Sequence, residues 1–386
     1  MGCSRGVPDK SRSPGGAILW GAHSVQRSVR RVGGPAESLI QRIDEVLATF
    51  LDARAAALAE VGEDLAPLAA AARTFVLDGG KRLRPSLANW GWLSVRAAAA
   101  DDHALVTAAA SLELLHACAL VHDDVMDASA TRRGHPSAHS AFADLHRSSS
   151  WTGAPDVFGT AAAILLGDLL LSWADAMFAA ADLDQDSVPG TRRVWDEMRQ
   201  LVMAGQYLDV LVQARGDFSA ADALRVAKYK TSKYTIEGPL HFGAAAAAAP
   251  QPVFAALSAY GLPLGEAFQL RDDVLGVFGD PDRTGKPAGD DLREGKRTLL
   301  VALAMEHADH VQAALLRRAL GDRTLDESAV AALREVIVDT GALAQVEKRI
   351  AERASEARDA LHSAALLPDA RAALDALAVA ATERHT

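Results

Sequence analysis

Two acidic clusters end apolar stretches of this sequence, a costly place for charge. The first closes the run Glu113-Leu-Leu-His-Ala-Cys-Ala-Leu-Val-His-Asp-Asp-Val-Met-Asp127 and supplies Asp123, Asp124 and Asp127. Read as a helix, Asp123 and Asp127 stand at i and i+4, and Asp124 and Asp127 at i and i+3, so the three carboxylates share one face. They also fall at the expected C-terminal end, where the macrodipole disfavours negative charge. The second cluster, Asp272 and Asp273, follows the apolar run that starts at Gly265. Like charges beside a low-dielectric core cost free energy unless something neutralises them, and divalent cations are the obvious agent. Oxygen donors with no Cys/His set at zinc spacing suit Mg2+, whose shell is commonly completed by substrate phosphates. Either cluster alone reads as a solvated acidic helix end; the two together read as opposite sides of a metal-diphosphate site.

Basic clusters alternate with the acidic ones. Gly79-Gly80-Lys81-Arg82-Leu83-Arg84-Pro85 places three cations after a glycine pair, with Lys81 and Arg84 at i and i+3. Backbone N–H groups freed by Gly80 and these side chains would cradle an anion. Arg132-Arg133-Gly134 offers two guanidiniums capable of bidentate phosphate contacts. Lys230-Thr231-Ser232-Lys233, Lys286 and Lys296-Arg297 supply further cations. Each could be an ordinary surface charge, but their order along an acidic chain asks for two polyanionic groups.

The elements that must position these residues are helices. Of 386 residues, 49% are hydrophobic and only 5% aromatic, in stretches of Ala, Leu, Glu and Arg, which favours helix over strand. From about Ala36 to residue 386 the pattern is nearly continuous helix with short breaks such as Leu77 to Gly80, Ser148 to Pro155 and Gly279 to Gly289. No alternation suggests a sheet, and no long linker divides the chain. A single large all-α domain, a helical bundle around a central cavity, is the expected fold class. Residues 1–35 carry six Arg/Lys against Asp9 and read as a disordered basic extension. A net charge of −10 argues against nucleic-acid binding. Cys3 and Cys118 make no disulfide framework, which fits a reducing, cytoplasmic location. No transmembrane segment is expected, because Asp168 cuts the best candidate, Ala161 to Leu171.

Taken in order, Gly79 to Pro85, Asp123-Asp124-Val-Met-Asp127 with Arg132-Arg133-Gly134, Lys230-Thr231, and Phe268-Gln269-Leu-Arg-Asp272-Asp273 continuing to Gly285-Lys286 and Lys296 resemble the trans-type isoprenyl diphosphate synthases, most closely those making geranylgeranyl diphosphate. The resemblance spans residues from about 40 to 380. It implies a homodimer and three Mg2+ ions bridging both aspartate motifs and an allylic diphosphate. It implies metal ligation by Asp123, Asp124, Asp127, Asp272 and Asp273. Gly80, Lys81, Arg84, His116 and Arg133 look like the isopentenyl diphosphate site, and Arg132, Lys286 and Lys296 like contacts to the allylic diphosphate, with Lys230, Thr231 and Gln269 in catalytic roles. One departure is Gly276, which stands where the usual second motif has a third aspartate; Asp280 or Asp290 is the expected substitute.

The implied chemistry needs no nucleophile. The allylic C–O bond ionises, the double bond of isopentenyl diphosphate attacks the cation, and a proton is lost to the departing diphosphate. His122 and His135 are therefore read as local hydrogen-bonding groups. Cys118 and Ala119, one helical turn before Asp123, are small where fifteen-carbon synthases resemble one another in carrying aromatic rings. That leaves the channel open for another five-carbon unit until Leu115 and Leu112 close it, so geranylgeranyl diphosphate is the expected product. A class I terpene cyclase and a non-catalytic regulatory subunit are the alternative readings.

Overall fold

The computed structural model describes residues 35–97, 102–280 and 289–382. Residues 1–34 of the expected basic extension, and Lys286, lie outside them.

The chain begins with α1 (Pro35–Val61), α2 (Ala66–Leu77) and α3 (Leu83–Leu93). It continues through α4 (His103–Met126), α5 (Ala138–Ser148), α6 (Pro155–Ala179) and α7 (Val188–Arg215). Next, α8 (Ala220–Val226) runs without a break into a π-helical segment, Ala227–Glu237, and then α9 (Gly238–Ala246). The last third holds α10 (Gln251–Phe278), α11 (Asp290–Glu294), α12 (Leu299–His307), α13 (His310–Ala319), α14 (Glu327–Asp339), α15 (Ala342–Ser363) and α16 (Pro368–Thr382). The all-α expectation holds.

One departure from pure helix is a two-stranded ribbon, Thr131–Arg132 against His135–Pro136. Arg133 and Gly134 both have positive φ, at 54° and 78°, which is the backbone of a tight two-residue hairpin turn. Strands this short leave no alternation to read in a sequence.

α4 is apolar nearly all round because it is buried nearly all round, and α6 packs along it through Leu166, Leu170 and Ala174. A second core gathers Val274, Leu300, Leu333 and Ile350 beneath the C-terminal half of α10, and a third joins α3, α9, α10 and α16 through Leu240, Tyr260 and Leu374. Glycines bring backbones into contact at the crossings. A Cβ on Gly205 of α7 would lie 2.6 Å from the Lys230 backbone nitrogen, so α7 can press against the π-helical segment.

α4 and α6 are long and apolar enough by composition to cross a membrane, which differs from the expectation that no stretch would qualify. The window in α4 is 72% buried in the protein and that in α6 39%, so α4's apolar character is already used in the core. α6 instead leaves Val157, Ile164 and Leu165 exposed along one side.

Candidate active site

The end of α4 carries Asp123 and Asp127, and α10 carries Asp272 and Asp273, which form the two walls of the candidate site. The π-helical segment spans the two. Lys230 Nζ donates to Asp123 Oδ1 at 3.0 Å and to Asp209 Oδ2 at 2.7 Å. The next residue points the other way: Thr231 Oγ1 bonds Gln269 Oε1, and Gln269 Nε2 donates to Asp273 Oδ1 at 2.7 Å. Adjacent residues of the π-helical segment thus connect to the two different aspartate motifs. Lys296 adds a second link. Its Nζ pairs with Asp291 Oδ1 at 3.0 Å and Glu294 Oε2 at 2.8 Å, and it lies close enough to Asp127 for the two charges to stabilise each other.

Each motif turns one carboxylate inward. Asp124 is fully buried and is held by Arg132, whose Nε donates to Asp124 Oδ1 at 2.9 Å and whose Nη2 also bonds it. Asp124, expected as a metal ligand, and Arg132, expected on the allylic diphosphate, are thus paired with each other in this structure, and Arg132 also lies 3.5 Å from Asp123. Asp273, 8% exposed, is engaged by Gln269 in the same way, leaving half-buried Asp272 as that motif's outer group. A Cβ on Gly276 would lie 1.8 Å from Asp291 Oδ2, so the Asp291 carboxylate lies against the position where the usual motif has its third aspartate.

The electrostatics are those of a site short of positive charge. Burial pushes the Asp123 carboxyl up, but Lys230 and Arg132 outweigh it and hold the pKa below the ordinary value. Asp127, buried and next to Asp123, is pushed up to about 6. Asp273, buried near Asp291 and Asp272, rises to about 8. Burial opposes the charge on Lys230, yet Asp123 and Asp209 raise its pKa. Among the described residues no three His, Cys, Asp or Glu side chains converge into a complete metal cage. Carboxylates on two walls, short of a complete protein cage, fit Mg2+, which keeps water and phosphate oxygens in its shell.

A pH dependence follows. A carboxyl whose pKa rises on folding, as that of Asp273 does from 3.8 to about 8, stabilises the fold below its unfolded pKa and loses that contribution as pH climbs through the folded one. The melting temperature of metal-free protein should fall between about pH 4 and pH 8, and fall less steeply in Asp273→Asn. Thermal melts across that range check it, and equal slopes in both proteins would contradict it.

The basic pocket forms where the glycine pair predicts. Gly79 and Gly80 have φ of 87° and 97°, and a Cβ on either would lie 3.6 Å from the Arg133 guanidinium. Arg82 turns inward from a left-handed backbone, bonding Asp44 at 2.6 Å and Glu113 at 3.1 Å, so it is structural. Arg84 is buried, donates to Thr235 Oγ1 at 2.7 Å and lies over the Tyr234 ring, while its Nε has no hydrogen-bond partner. His116 Nδ1 is likewise buried without a partner. Burial, then Arg84, Arg133, Arg132 and Arg82, hold the His116 pKa well below its ordinary value. Lys81, half-buried, precedes Arg82 at the pocket's edge. Buried polar nitrogens of Arg84 and His116 without a hydrogen-bond partner thus lie among Arg82, Arg132 and Arg133, surroundings that favour negative charge.

Cys118, Ala119 and Leu115 separate by face. Ala119, half-buried, lies one turn beneath Asp123 with Leu115 a turn further down. Cys118 stacks under His122, its Sγ 3.8 Å from His122 Nδ1, and burial pushes its thiol up to about 12. His122 bonds the Ile164 carbonyl at 3.1 Å, as a local hydrogen-bonding role requires. Sequence reading missed Gln206, which donates to Asp123 Oδ1 at 2.9 Å, as well as Asp209, and gave Asp291 no role. The available signal was Gln206 and Asp209 at i and i+3 on an otherwise amphipathic helix.

A family model, polyprenyl synthetase, matches residues 66–337. The chain is 36% identical over 261 residues to the (2E,6E)-farnesyl diphosphate synthase of Mycobacterium tuberculosis, covering 67% of each. It is 34% identical to the geranylfarnesyl diphosphate synthase of Aeropyrum pernix, over 76% of this chain and 86% of that one. Among solved structures, geranylgeranyl pyrophosphate synthase from Corynebacterium glutamicum, complexed with isoprenyl diphosphate and magnesium, superposes with a TM-score of 0.87 at 40% identity, covering 90% of this chain and 99% of that one. Paired carboxylate walls beside an anion pocket, in a chain that matches this family over most of its length, lead to one conclusion: the protein belongs to the polyprenyl synthetase family and is a prenyltransferase.

Proposed function

We propose that the cleft joins isopentenyl diphosphate head to tail to an allylic diphosphate, with geranylgeranyl diphosphate as the main product. The observation that carries this is the divergence of Lys230 and Thr231 to opposite aspartate walls, one through Asp123 and the other through Gln269 to Asp273. It makes a site shaped to hold a diphosphate between them. Asp123, Asp127 and Asp272 would hold three Mg2+ ions, which supply Lewis-acid withdrawal of charge from the leaving group. Lys230 and Lys296 donate to the diphosphate as its C–O bond breaks and the electron pair moves to oxygen. Lys81, Arg84, His116 and Arg133 seat isopentenyl diphosphate, whose double bond attacks the allylic carbon. The proton lost from the adjacent carbon goes to the departing diphosphate.

A class I terpene cyclase would have no ligand for the Arg84–His116–Arg133 pocket, and a regulatory subunit no use for either aspartate wall. Incorporation of labelled isopentenyl diphosphate by the purified chain separates all three.

The small Ala119 beneath Asp123 supports a product longer than fifteen carbons, and Leu115 supports a stop soon after. Ala119→Phe is expected to shorten the main product by one five-carbon unit. Cys118→Phe should mainly lower yield, because Cys118 is 5% exposed in packed core. Chromatography of dephosphorylated products made with each allylic primer checks both, and an unchanged length in Ala119→Phe would refute the assignment.

The exposed apolar side of α6, Val157, Ile164 and Leu165, supports a homodimer, and a monomeric mass by light scattering would contradict it. Action in the cytoplasm fits the free, buried Cys118; fractionation that finds the enzyme in an oxidising compartment would count against it.

A further inference from the structure

The first aspartate row sits at the negative end of α4, and no basic residue occupies that helix's last turn. Compensation arrives from elsewhere. Arg323, in the loop after α13, donates from Nη1 to the Ala128 carbonyl at 2.7 Å and from Nη2 to the Asp127 carbonyl. Both acceptors are main-chain oxygens at the C-terminus of α4, where unpaired carbonyls concentrate negative charge.

The loop that carries Arg323 is fixed to the opposite wall. Gly321 N donates to the Leu292 carbonyl at 2.9 Å, and Arg293 Nε donates to the Leu325 carbonyl at 3.0 Å. A Cβ on Gly295 would lie 2.9 Å from Gly321 Cα, so backbone meets backbone there. Leu292 and Arg293 belong to α11, which presents Asp291 beside Gly276 and leads into Lys296. A second tie crosses the same gap, Ser129 Oγ donating to Glu294 Oε1 at 2.7 Å.

We infer that Arg323 is a positioning residue of the diphosphate site: anchored with the α11 wall, it grips the end of α4 and sets the spacing between the two rows of carboxylates. It touches no substrate. It acts through the place at which Asp123 and Asp127 are held, and so on how tightly magnesium and a diphosphate are bound together. The inference rests on reading the cleft as a magnesium-diphosphate site.

The test compares wild type, Arg323→Ala and Arg323→Lys by thermal melting in MgCl2 titrations at fixed inorganic diphosphate, and by steady-state kinetics. Arg323→Ala should melt near wild type without magnesium, because Arg323 is exposed. Its magnesium midpoint should rise roughly tenfold in both measurements, the size typical of a lost outer-shell partner, with KM for isopentenyl diphosphate unchanged. Arg323→Lys keeps the charge but not the two-point grip and should fall between. Wild-type midpoints in both variants would overturn the inference. If Arg323→Ala melts early, the Arg323→Lys midpoint decides alone. A wild type that diphosphate and magnesium fail to stabilise would instead overturn the reading of the site itself.

Discussion

Asp123→Ala should lower kcat/KM by roughly a thousandfold while leaving the protein folded, the scale seen when a preorganised group facing developing charge is removed. Asp123 is the most connected carboxylate of the cleft: Lys230, Gln206 and Arg132 all approach it, and burial has been overcome to keep it ionised. A group held charged at such cost is available to a cation at neutral pH. The fold survives because each partner keeps another: Lys230 retains Asp209, and Arg132 retains Asp124. Incorporation of labelled isopentenyl diphosphate, with circular dichroism as the folding control, checks this. Activity within tenfold of wild type would remove Asp123 from the metal site.

Lys230→Gln should cost about a hundredfold in kcat, with little change in KM for isopentenyl diphosphate. The substitution leaves a shorter polar side chain that can still donate a hydrogen bond but removes the charge, which the leaving diphosphate needs as negative charge develops. It also leaves Asp123 and Asp209 facing each other, 17% and 16% exposed, without a cation between them. Metal-free protein should therefore melt lower than wild type, and saturating magnesium should narrow the difference. A variant with lowered melting temperature but wild-type kcat would make Lys230 a structural counter-ion only.

Much of the site is legible in the sequence because its residues occur in runs that no structural need explains. Acids at the end of an apolar helix, and cations after a glycine pair, each conflict with local preference, and conflicts of this kind gather at functional sites. The all-α class is legible for a simpler reason: α4, apolar on every side, can only be a central helix. What stays hidden depends on contacts between distant segments. Nothing local says that Asp124 turns to Arg132, that Arg82 turns inward to Asp44 and Glu113, or that the Gly276 gap admits Asp291 from α11. The π-helical segment is equally silent, since its sequence reads as ordinary helix and the close approach of Gly205 of α7 to the Lys230 backbone shows only in the packed structure. Tertiary packing, not propensity, decides these details.

Calorimetric titration of inorganic diphosphate into wild type, Asp123→Ala and Asp272→Ala, with and without Mg2+, asks most directly whether the two walls close on a metal-bound diphosphate. The expected result is binding by wild type only when Mg2+ is present, and weakening of roughly a hundredfold or more when either wall loses its aspartate. Equal binding in excess chelator, or in both variants, would contradict it.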